Sequence, residues 1–93
     1  MNGLVAGLGM LGAVTLLSED PLTAKPHIEI AVNALKQLNF YRLLEPPNWR
    51  LYLETLNEAV YQYNKALSKG ATKNKDIEFQ IRVAHKLYMI SKG

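Results

Sequence analysis

Trp49, Leu53, Leu56, Val60, Tyr63 and Leu67 recur at separations of 4, 3, 4, 3 and 4 residues. This heptad seam predicts an amphipathic helix packed against neighbouring helices. Ala59 and Ala66 lie beside the seam. Pro46 and Pro47 fit the leading edge of the helix, and Gly70 fits the position just past its end, where a left-handed backbone is needed. Glu54 and Glu58 come early and Lys65 and Lys69 late, the order that the helix dipole favours.

The same periodicity appears on both sides of this segment. Upstream, Ile28, Ala31, Val32, Leu35 and Leu38 repeat at three and four residues and are continued by Tyr41. The spacing predicts a helix over 25–44, with Thr23 as its N-cap, Pro26 in its first turn and Glu45-Pro46-Pro47 as its stop. Downstream, Ile77, Ile81, Ala84 and Tyr88 form one apolar ridge, and Val83, Leu87 and Ile90 form an adjacent one. Thr72 or Asn74 is expected to cap this last helix. Short connections between three amphipathic helices imply antiparallel neighbours, so the fold class is all-α, a small three-helix bundle spanning 26–93.

Before residue 19 the pattern disappears. Met1 to Ser18 contain no charged side chain and carry four glycines, at Gly3, Gly7, Gly9 and Gly12. Residues 19–25, with Pro21 at one end and Pro26 just beyond the other, read as a linker. Eighteen residues of helix reach roughly 27 Å, slightly short of a hydrocarbon core of roughly 30 Å. Each interior glycine costs about 1 kcal/mol relative to alanine in a helix, so lipid or a second protein surface is expected to hold the run. Gly3 and Gly7 make a small-residue pair at helical spacing. The flanks of a secretory signal, a positive leading region and an Ala-x-Ala site, are not seen. Leu4, Gly7, Leu8, Leu11, Leu16 and Leu17 are the candidate anchor residues, for a membrane or for a protein partner.

Composition adds two constraints. A core built from fewer than seventy residues is marginal, since a domain that small buries only roughly 60% of its unfolded-chain surface, which leaves room for oligomerisation or a partner. The net charge of +3 is also unevenly placed, with a balance of −2 over residues 1–64 and +5 over 65–93. Lys65, Lys69, Lys73 and Lys75 concentrate it around the last connection. They are candidate contacts for anionic lipid, an acidic partner or nucleic-acid phosphates. With no arginine or interleaved aromatic in the cluster, reading of bases is not expected.

The reactive side chains form no constellation. His27 and His85 are 58 residues apart, and neither has a ligand-type partner at i+3 or i+4. Glu54 and Glu58 share a face but lack the histidines and second acidic helix of a di-metal bundle. The chain has no cysteine, and neither a phosphate-binding glycine loop nor a nucleophile motif is present. No cofactor and no metal are expected, and the chain reads as non-enzymatic. Trp49 and Tyr63 are expected in the core, whereas Tyr41, Tyr52 and Tyr61 are candidates for a protein interface.

Two resemblances follow from these segments. Leu56-Asn57-Glu58-Ala59-Val60-Tyr61-Gln62-Tyr63-Asn64-Lys65-Ala66-Leu67 looks like the second helix of a tetratricopeptide repeat, but Pro46 and Pro47 fall where the first helix should run, and there is a single copy. The apolar, glycine-rich start, taken with Ala34-Leu35-Lys36-Gln37-Leu38-Asn39-Phe40-Tyr41-Arg42 and Tyr52-Leu53-Glu54-Thr55-Leu56-Asn57, is similar to small helical structural proteins of large icosahedral DNA viruses. That resemblance implies a minor capsid protein of the virion, anchored by residues 1–18, whose bundle contacts shell proteins. The leading expectation is therefore a structural or assembly protein, membrane-associated or held within a large assembly, with other proteins as partners. The alternative is a soluble helical binding module or regulator that uses residues 65–75 on nucleic acid.

Overall fold

The computed structural model describes residues 20–92. They form an all-α three-helix bundle of α1 (Lys25–Arg42), α2 (Trp49–Ser68) and α3 (Lys75–Lys92). Cross-helix contacts establish the antiparallel order. His27 at the start of α1 meets Gln62 in the second half of α2, Tyr52 near the start of α2 meets Ala84 midway along α3, and Tyr63 further along α2 meets Glu78 at the start of α3. One end of the bundle therefore holds the α1–α2 connection and the C-terminal end of α3. The other holds the α2–α3 connection and the start of α1.

The helix boundaries follow from local chemistry. Thr23, the expected N-cap of α1, does not cap it. Ala24 occupies that position without a side-chain bond, and the carbonyl of Pro21 accepts from the N–H groups of Ala24 (2.9 Å) and Lys25 (3.2 Å) instead. A backbone turn thus does the work usually assigned to a hydroxyl, and Pro26 in the first turn needs no donor partner. At its other end α1 stops at Arg42, two residues before the expected limit, because the Asn48 N–H turns back to the Tyr41 carbonyl (3.0 Å). Asn48 then caps α2 through its side chain, accepting from Leu51 N–H at 3.1 Å.

The end of α2 is closed by a Schellman arrangement: Gly70 N–H bonds the Leu67 carbonyl and Ala71 N–H bonds the Ala66 carbonyl, both at 3.0 Å. Gly70 takes the left-handed backbone that this requires, with φ +98°. Asn74 caps α3 as the sequence suggests, accepting from Ile77 N–H at 3.0 Å.

The core is made by Ile28, Val32, Leu35 and Leu38 of α1, Tyr52, Leu56 and Tyr63 of α2, and Ile77 and Ala84 of α3, with alanines 24, 31, 34, 59 and 66 filling the close approaches. The buried line of α2 is Tyr52, Leu56, Ala59, Tyr63 and Ala66. It is rotated from the expected seam, of which only Leu56 and Tyr63 are fully buried, while Trp49, Leu53, Val60 and Leu67 are half-buried at its flank. The reason is steric. Ala59 and Ala66 let the α2 backbone come close, so the line of deepest contact runs through the small residues and the larger ones pack at the sides. α1 and α2 pack along their length and α3 lies more loosely on both, which leaves the second apolar ridge of α3 only partly covered: Val83 and Leu87 are half-buried and Ile90 is exposed.

Candidate functional site

Each end of the bundle presents a different surface. At the end holding the α2–α3 connection, Lys65, Lys69, Lys73 and Lys75 are all exposed. The Lys73 ammonium lies 3.8 Å from the Glu78 carboxylate. Glu78 is itself occupied inward: the Tyr63 hydroxyl donates to its Oε2 at 2.8 Å and accepts from the Asn74 N–H at 2.8 Å. This network fixes the start of α3 against α2. Burial pushes the Tyr63 phenol up to about 12, opposed by the bond from Asn74 and reinforced by the negative charges of Glu78 and Asp20.

Asp20 sits at this end too. Its Oδ1 accepts from the backbone N–H of Thr72 at 2.9 Å. Pro21 lies against the same connection, since a Cβ added to Gly70 would stand 3.2 Å from Pro21 Cγ. Along the sequence the lysine-rich segment is remote from Asp20, and the fold removes that separation. The first described residue after the uncharged run is hydrogen-bonded to the loop between Lys69 and Lys73. Leu22, in the turn that follows, is 81% exposed, and Phe79, one helical turn beyond Lys75, is 52% exposed. Nothing in the sequence singles out Asp20 or Leu22, because the spacing of a linker carries no signal of what it touches.

The opposite end is apolar and aromatic. Trp49 packs edge-on against Tyr52 and Tyr88, with ring centroids 5.1 and 5.7 Å away, and closes the core there. Outside this cluster Phe40, Leu43, Met89 and Ile90 are each more than half exposed, with Leu44 beside them. None of these five is marked as a contact residue by the sequence pattern, in which only Ile90 belongs to an apolar ridge.

The three tyrosines assigned to an interface separate. Tyr52 is corrected: it is 1% exposed, its hydroxyl donates to the Ala84 carbonyl at 2.5 Å, and it presents nothing to a partner. It sits one position to the side of the expected seam, and rotation of α2 brought it to the centre. Burial raises its phenol above the usual value, with the Arg42 guanidinium pulling the other way. Tyr41 is half-buried, with its ring edge-on to Phe40, and Tyr61 is exposed on α2. Leu4, Gly7, Leu8, Leu11, Leu16 and Leu17 lie outside the described residues.

Candidate chemistry stays dispersed. His27 Nδ1 lies 2.6 Å from Gln62 Oε1, and His85 is exposed on α3. Glu54 pairs with Arg50 at 3.1 Å on the surface, and Glu58 accepts from Gln62. Among the described residues there is no group of three side chains able to hold a metal ion, and no helix long and apolar enough to cross a membrane. No family model, curated protein or solved structure matches the chain.

Proposed function

We propose that this chain is a non-catalytic attachment and assembly protein. The uncharged run 1–18 holds it to a membrane or a larger assembly, and the helical bundle contacts other proteins. The observation that carries this reading is the group of exposed apolar side chains Phe40, Leu43, Met89 and Ile90 at one end of the bundle, with Asp20 held to Thr72 at the other. Exposed apolar side chains gathered at one end of a small domain mark protein contact surfaces. A molecule with an attachment end and a contact end about 30 Å apart, the length of a helix the size of α2, is suited to bridging two layers. The pattern likeness to helical structural proteins of large icosahedral DNA viruses supplies one such setting, a minor capsid component between membrane and shell.

Flotation of the full chain with liposomes tests the attachment. Wild type is expected to float and Leu8→Lys to remain in the dense fraction, because a charge at that position is costly in hydrocarbon. Identical behaviour of the two proteins would remove the membrane from this reading.

A further inference from the structure

We infer that the exposed face of α2 is a self-complementary dimer interface, on which a second copy of this chain docks with its α2 antiparallel to the first. Glu54, Glu58, Tyr61, Lys65 and Lys69 follow one another at separations of 4, 3, 4 and 4 residues, so they form one stripe along the helix. All five are exposed, Tyr61 by 57%. The stripe runs on the side of α2 turned away from its buried line of Tyr52, Leu56, Ala59, Tyr63 and Ala66. Its charges are ordered. Arg50 holds Glu54 Oε2 at 3.1 Å and Gln62 donates to Glu58 Oε2 at 2.8 Å, so each carboxylate has a second oxygen to offer. With Arg50 counted, Arg50, Glu54 and Glu58 give the first half of the stripe a net charge of −1, and Lys65 and Lys69 give the second half +2. Among the described residues neither of these lysines is in an ion pair, whereas Lys73, beyond α2, is taken up by Glu78 at 3.8 Å.

The placement of these charges about one point names the occupant. Glu58 and Lys65 lie equally far from the midpoint between Tyr61 and Gln62, and so do Glu54 and Lys69. A two-fold axis through that point sets Glu54 against Lys69 of the second copy and Glu58 against its Lys65, each pair made twice, with the two Tyr61 rings meeting at the centre. Parallel alignment would set like charge against like. A groove of about 310 Å³ between α1 and α2, bordered by Glu54, Glu58 and Ile30, runs beside the stripe. The aliphatic stems of the incoming lysines lie over it and cover Ile30, which is 42% exposed in the single copy. One helix face about 30 Å long buries less than the roughly 800 Å² per partner of a standard interface. The dimer is therefore weak and sensitive to salt, with a dissociation constant on the order of 100 μM. The pairing goes beyond the attachment reading and does not depend on it.

Sedimentation equilibrium of the full chain in nonionic detergent is the test, with the charges of the stripe exchanged. Lys65→Glu with Lys69→Glu makes the stripe acidic, and Glu54→Lys with Glu58→Lys makes it basic. Each double variant alone is expected to dimerise about 30-fold more weakly than wild type, because four attractive pairs become repulsive. An equimolar mixture of the two is expected to recover the dimer, since every facing pair is then opposite in charge. All four positions are exposed, so helix content measured by circular dichroism should match wild type. Tyr61→Cys introduces the chain's one thiol beside the axis, and a short bis-maleimide is expected to link two copies through it. Lys36→Cys, on the exposed side of α1, is expected to stay unlinked. Wild type that remains monomeric at about ten times the expected dissociation constant would overturn the interface. Association that both reversals leave unchanged, a mixture that recovers no dimer, or equal linking at positions 36 and 61 would do the same. None of these results bears on the attachment reading, which liposome flotation tests separately.

Discussion

The carboxylate of Asp20 accepts a hydrogen bond from the backbone N–H of Thr72, 52 residues further along the chain. The contact is on the surface and contributes no more than about 1 kcal/mol, so its importance is geometric. It holds the start of the described chain against the α2–α3 connection. Asp20→Ala is expected to leave the unfolding midpoint nearly unchanged while the Thr72 amide loses protection in hydrogen exchange. Protection equal to wild type would mean that this tie does not hold in solution.

Gly70 is a second point of close approach at that end. Its φ of +98° is one that side-chain-bearing residues rarely adopt, and an added methyl would stand 3.2 Å from Pro21 Cγ. Gly70→Ala should therefore cost about 1–2 kcal/mol, through backbone strain at the end of α2 and displacement of the Pro21 turn. Urea denaturation is the check, and an unshifted midpoint would count against the closure described for α2.

Tyr63 gives the bundle a sensitivity to alkaline pH. Its phenol titrates near 10 in the unfolded chain and at about 12 in the fold, so the folded state keeps a proton that the unfolded state has lost. The stability contributed by this group is fully present below pH 10. It falls at about 1.4 kcal/mol per pH unit as the pH rises toward about 12. Tyr52, also raised by burial, acts in the same direction. Tyr63→Phe is expected to be less stable near neutrality by about 1–2 kcal/mol, because Asn74 N–H and Glu78 lose their partner, and to show a shallower decline above pH 10. A decline as steep as wild type would assign the alkaline transition elsewhere.

Two tyrosines on α2 should respond unequally to substitution. Tyr52→Phe removes the bond to the Ala84 carbonyl in the core and should cost about 1 kcal/mol or somewhat more. Tyr61→Ala, on the exposed side, should stay within about 0.5 kcal/mol of wild type. Comparable losses at both positions would contradict the orientation of α2.

That orientation marks the limit of what the sequence discloses. Three amphipathic helices, the Asn74 cap and the left-handed Gly70 are all legible, because each depends on residues within a few positions of one another. The rotation of α2 is not, because the choice between the seam through Trp49, Leu53 and Val60 and the line through Tyr52, Ala59 and Ala66 is made by how closely a neighbouring backbone can approach. The cap of α1 falls at Ala24 and not at Thr23 for a related reason, since the Pro21 carbonyl already serves the orphan N–H groups. The lysine cluster could be read as a cluster. Its proximity to Asp20 and Leu22 is a tertiary relationship between the start of the described chain and a connection 52 residues further on, and local periodicity carries no trace of it.

The proposal that the chain attaches by its lysine end can be tested directly, because the chain has no cysteine and one introduced thiol gives one label. Thr72→Cys and Leu43→Cys, at opposite ends of the bundle, would each carry an environment-sensitive fluorophore on the full chain bound to phosphatidylglycerol-containing vesicles. The label at position 72 is expected to report an apolar shift on binding. The label at position 43, about 30 Å away along the bundle, is expected to keep its aqueous emission. An apolar shift at position 43 with none at position 72 would show that the bundle meets the membrane by its aromatic end, and would contradict attachment through the lysine end.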